Sequence, residues 1–144
     1  MRGFLGTSAS LRADVVLVVT LALGIAAVVG AALAHRKRFP PHCRLLAVAT
    51  FLNWLPLLAG MIPQWTGLFG SDLSSPFISV PMMHGAAGLV VQVLMTYTVV
   101  RMNWLKRLPP RRPRWLMRVA LALWMISVIS GLGVYLLLYT SWLG

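Results

Sequence analysis

Apolar residues fill four long stretches of the chain, and short polar segments separate them. The stretches are residues 15–34, 45–62, 80–100 and 119–139, the first reading VVLVVTLALGIAAVVGAALA. Each is close to the ~20 apolar residues that a helix needs to cross a bilayer, and none has Asp, Glu, Lys or Arg in its middle. The pattern predicts an all-α, polytopic membrane protein: a four-transmembrane-helix bundle formed by a single membrane domain, 1–144. Pro56 falls inside the second stretch, where neighbouring helices can satisfy the carbonyl it frees. Pro40-Pro41 and Pro109-Pro110 fall between stretches and are expected to end helices and stiffen the turns.

Composition excludes the main alternatives. Of the 144 residues, 59% are hydrophobic and 10% charged, whereas a soluble domain carries about 25% charged residues. Too few polar side chains remain to cover a globule in water, and the chain is too apolar to be disordered. A disulfide scaffold is excluded because Cys43 is the only cysteine.

The net charge of +11, from 13 Lys+Arg against 2 Asp+Glu, sits between the apolar runs rather than on one folded surface. It therefore reads as membrane topology and not as nucleic-acid binding. Segment 35–44 (HRKRFPPHCR) and segment 101–118 are strongly basic, while segment 63–79 and the tail SWLG contain no Lys or Arg. The positive-inside rule makes the two basic connections cytoplasmic and both termini extracytoplasmic. Arg107, Arg111, Arg112 and Arg114 would then face anionic lipid heads or an acidic partner surface. Trp65, Trp104, Trp115, Tyr139 and Trp142 fall at the expected interfaces. The first stretch also has the look of a cleaved signal peptide, but the basic cluster directly after Ala34 opposes export of the chain beyond it.

Polar groups at membrane depth are the first functional candidates. His84, Gly88, Gln92 and Thr96 succeed one another at i, i+4 spacing along one stripe of the third helix. Asn53 and Gln92 both fall roughly 15–18 Å into their helices, near the midplane, where the two amides can meet. Ser127 and Ser130 reach a similar depth. Helix-to-helix hydrogen bonding and a substrate or proton path are the two roles open to this polar core. Small residues (Ala26, Ala27, Gly30 and Ala31; Gly85 and Gly88; Gly131 and Gly133) serve either packing within the bundle or docking onto a larger complex.

The histidines give two candidate ligand groups. His84, Met61, Met82 and Met83 cluster near the outer ends of their helices, and imidazole with thioether suits copper(I). The alternative is that the methionines fill gaps while His84 hydrogen-bonds Asp14. On the cytoplasmic side, His35, His42 and Cys43 are three donors in a cationic loop, too few for a tightly held structural metal. Haem b would need two histidines at one depth; His42 and His84 lie at opposite faces, which leaves His35 with His42. No nucleophile–base pair, phosphate loop or paired carboxylate is present, so the chain reads as non-enzymatic.

The sequence HCRLL at 42–46, His84, the run RRPRW at 111–115 and GLGVY at 131–135 together resemble a bacterial four-helix domain-of-unknown-function family over about residues 35–140. That family includes membrane assembly factors for aa3-type haem–copper oxidase. Two further family histidines would fall at Gly60-Met61 and at 111–114, where this chain has none. The resemblance implies an assembly factor or accessory subunit of a respiratory or electron-transfer complex, with other membrane subunits as partners. A small redox protein binding haem b or copper, and a small proton-coupled transporter using Asp14, are the competing expectations.

Overall fold

The computed structural model describes residues 3–103 and 114–140. Its elements are α1 (Leu11–His35), α2 (Phe39–Leu52), α3 (Trp54–Pro56), a π-helical turn (Leu57–Met61), α4 (Ile62–Thr66), α5 (Pro76–Asn103) and α6 (Arg114–Tyr139). Four helical spans, Leu11–His35, Phe39–Thr66, Pro76–Met102 and Trp115–Tyr139, are long and apolar enough to cross a membrane. Large apolar side chains stay exposed all around them, among them Ile25, Val48, Leu55, Val90, Ile126 and Ile129. A helix apolar on every face needs lipid or protein outside as well as inside. The chain is a multi-pass membrane protein.

The spans are longer than the hydrophobic pattern predicts, because helix ends continue into polar residues. At α1, Ser10 caps the helix by accepting from the Ala13 amide, and Asp14 complements the dipole of the first turn. Segment 35–44 is not a loop: only residues 36–38 connect α1 to α2. Pro40 and Pro41 start α2 rather than ending a helix, since the first turn has no use for their missing N–H groups. Lys37 makes the reversal in the left-handed region at φ 59°, and the Arg38 amide bonds back to the Leu33 carbonyl at 2.9 Å, a Schellman-type end.

The second span is jointed. Pro56 and Pro63 each remove a backbone donor, and the π-turn Leu57–Met61 lies between them, as interrupted hydrogen-bond ladders often require. Gly60 makes this joint possible. A Cβ there would collide with Val16 of α1.

The bundle is solid in one half and hollow in the other. Leu23, Ala27, Leu46, Ala49, Val91, Met95, Ala120, Trp124 and Val128 form the packed core, nearer the end that carries Arg36, Lys37, Arg38, Arg44 and Arg101. Gly30 packs against Leu46 and His42, Gly85 against Trp65, and Gly131 against His84, while nothing lies beside Gly133. Most of the small residues therefore serve packing inside the bundle, and Gly133 is exposed among the described residues. At the opposite end the N-terminal strap crosses to α6, with the Ser8 amide and hydroxyl both donating to the Tyr139 carbonyl. Between α4 and α5, the Ser74 amide and hydroxyl donate to the Asp72 carboxylate, which holds that carboxyl below its ordinary range.

Candidate functional site

The hollow half contains a partly open cavity of about 440 Å³, a size in the ~300–1,000 Å³ range of small-molecule sites. Its walls come from all four spans. Its floor is Leu21, Asn53, Gln92 and Trp124, and its rim includes Gln64, Trp65, Phe77 and Tyr139. At 1.5 Å per helical residue the floor lies about 20 Å below the rim. The π-turn and Pro81, two interruptions of regular helix, both border it.

The floor is a hydrogen-bonded amide pair. Asn53 donates through Nδ2 to Gln92 Oε1 at 2.9 Å, and Gln92 Nε2 donates to the Thr50 carbonyl at 2.8 Å. Thr96 donates to the Gln92 carbonyl at 2.8 Å and accepts from the Trp54 indole at 3.1 Å. This network ties the second span to the third. Depth arithmetic brings Asn53 to Gln92, but Trp54 and Thr50 are missed by it. An indole in an apolar run carries no signal of its partner, and the carbonyl of Thr50 is a backbone group.

Thr50 itself is wholly buried, and its hydroxyl is the one fully enclosed polar atom without a hydrogen-bond partner among the described residues. Thr50→Val keeps the shape and the accepting carbonyl. It is expected to raise stability by about 1 kcal/mol in detergent unfolding, because a stranded donor is removed. A loss of stability would mean that the hydroxyl has an unseen partner.

His84 lies on the cavity wall, but it does not pair with Asp14, the partner that helix position alone suggests. Its Nδ1 meets Ser130 Oγ at 2.9 Å, and that hydroxyl donates to the Ser127 carbonyl at 3.0 Å. With the hydroxyl hydrogen on the Ser127 carbonyl, a neutral imidazole donates through Nδ1 and keeps Nε2 as an acceptor. Asp14 instead accepts from the Tyr135 hydroxyl at 2.5 Å and from the Leu5 amide at 2.9 Å. The pairing went to α6 because α1 packs against α6 at this level and Tyr135 reaches the first turn of α1.

The other candidate ligands are dispersed. Met61 lines the cavity with His84, while Met83 is 74% exposed on the outer face of α5. Met82 takes part through its carbonyl, which accepts from the Trp65 indole at 3.0 Å. His42 is buried in α2 with Nδ1 2.7 Å from the Gly30 carbonyl, and His35 closes α1. His42 and His84 sit at opposite ends of the bundle, and no cluster of three or more His, Cys, Asp or Glu forms among the described residues. His42 and His84 therefore cannot hold a haem between them. Arg107, Arg111 and Arg112, with Trp104 and Trp142, lie outside the described residues, and Arg114 opens α6.

The class that emerges is a multi-pass helical membrane protein with a hollow that reaches the middle of its helical bundle. No protein-family model, characterised protein or solved structure matches the chain at a significant level.

Proposed function

We propose that the chain is a non-enzymatic integral membrane protein, an assembly factor or accessory subunit of a respiratory or electron-transfer complex of the haem–copper oxidase kind. The observation that carries the non-enzymatic part is how the interior polar groups are used. Asn53, Gln92, Thr96 and His42 are bonded to neighbouring helices, an arrangement that holds a bundle together. The partner class rests on the resemblance at 42–46, His84 and 131–135. The end carrying Arg36, Lys37, Arg38 and Arg44 faces the cytoplasm of a bacterial cell by the positive-inside rule, where it meets anionic lipid heads. Purification in mild detergent should bring other membrane subunits of such a complex along. Recovery of the chain alone, with normal oxidase content in a deletion strain, would overturn the reading.

One observation favours a second reading, a small copper-binding redox protein: Met61 and His84, with its accepting Nε2, border the same cavity. Metal analysis after copper(I) loading decides it, since binding that survives Met61→Leu with His84→Ala removes this site.

A further inference from the structure

The cavity's polar groups have a distribution that the accessory-subunit reading does not use. Each span contributes at least one: Thr20 from α1, Asn53 at the end of α2, His84 and Gln92 from α5, and Ser127 from α6. Among the described residues, the hydroxyls of Thr20 and Ser127 and the Asn53 Oδ1 have no hydrogen-bond partner, and the Asn53 and Gln92 amides each use one of their two N–H groups. Between floor and rim the wall is mostly apolar, with Val16, Leu17, Leu57, Leu132 and Leu138 along it, while Gln64, Trp65, Tyr135 and Tyr139 add polar groups toward the mouth. Among the described residues, no Asp, Glu, Lys or Arg lines the cavity.

These features select an occupant. A hydroxyl or carbonyl at the floor matches the free amide N–H groups, the Asn53 Oδ1 and the Ser127 hydroxyl, which together offer donors and acceptors. The apolar shaft above suits a hydrocarbon body. A charged head would lose its hydration with no counter-charge to receive it. Filling 440 Å³ with water alone would leave long apolar walls wetted.

We infer that the hollow half of the bundle binds a neutral amphiphile, a molecule with an apolar body and one hydroxyl or carbonyl head. The head is held at mid-membrane by Asn53 and Ser127, and the body lies along α1, the π-turn and α6. The site stands independently of any partner complex.

The test uses the full chain purified in detergent, with 1-dodecanol as the probe and dodecane and dodecanoate as comparisons. Native mass spectrometry should show one saturable 1-dodecanol adduct, with weaker retention of dodecane and none of dodecanoate. Ser127→Phe, which fills the shaft, should abolish the adduct. Ser127→Ala, which leaves the space and removes one partner, should weaken binding about tenfold. If Ser127→Phe fails to fold, the Ser127→Ala affinity and the comparison of alcohol with alkane decide alone. Adducts that never saturate, equal retention of alcohol and alkane, or unchanged affinity in these variants would overturn the site. So would no adduct at all, the result for a water-filled vestibule. Co-purification of oxidase subunits has no bearing on any of these outcomes.

Discussion

Replacing Gln92 with leucine is expected to destabilise the bundle by about 2–4 kcal/mol. Gln92 is 1% exposed and makes two interhelical bonds, one from Asn53 and one to the Thr50 carbonyl. Bonds of this kind within a membrane are worth about 0.6–2 kcal/mol each. The substitution also strands the Gln92-facing N–H of the half-buried Asn53, and an unsatisfied donor costs up to about 1–3 kcal/mol when fully enclosed. The measurement is equilibrium unfolding in mixed micelles, with Val90→Leu on the outward face of α5 as a control that should stay within about 0.5 kcal/mol. Asn53→Leu combined with Gln92→Leu should cost less than the two single changes added together, because the second removes the group that the first left stranded. Additive losses would show that the amides do not depend on each other. A cost for Gln92→Leu no larger than the control's would remove the midplane network as a source of stability.

The amide pair is legible in the sequence because helix rise converts residue position into depth, and two amides at one depth in apolar helices have few other partners. The four spans are legible for a similar reason: apolar length is a one-dimensional property. Their ends are less so. His42, Cys43 and Arg44 dilute the apolar pattern, yet they continue α2, because His42 reaches the Gly30 carbonyl where glycine leaves room for the ring. Which residues face which is beyond the pattern. Asp14 is equally one turn into its helix whether it meets His84 or Tyr135, and helix rotation chooses between them. The hollow is harder still to read, because it arises where modest side chains from several helices, Thr20, Gly88 and Ser127 among them, line the same space. The π-turn that borders it results from two prolines seven residues apart, a local signal whose geometric outcome depends on Val16 lying against Gly60.

Asp14→Ala is expected to release the N-terminal strap while leaving the midplane network intact. The carboxylate is enclosed in the fold. Its charge is met by the first turn of α1, by the Tyr135 hydroxyl and by the Leu5 amide. Thr7 donates in turn to the Tyr135 oxygen at 2.7 Å, and the Gly3 amide closes the strap on the Ala9 carbonyl at 2.8 Å. Gly3 lies so close to the carboxylate that a Cβ would overlap it, so the strap fits only around this side chain. Without its acceptor the Leu5 amide should exchange with solvent about ten- to a hundredfold faster, while the amides of α2 and α5 near Asn53 and Gln92 keep their protection. Asp14→Asn separates the two bonds: its carbonyl still accepts from Tyr135, but an NH₂ turned toward the Leu5 amide sets donor against donor. That variant should free the strap nearly as much while preserving the α1–α6 contact. Tyr135→Phe should spare the Leu5 bond and loosen Thr7 instead. Hydrogen exchange read peptide by peptide distinguishes these patterns, and strap exchange unchanged in Asp14→Ala would show that the carboxylate does not hold it. Tyr135 and Tyr139, the residues that the strap grips, also border the cavity, so the same loosening should widen the way into the hollow.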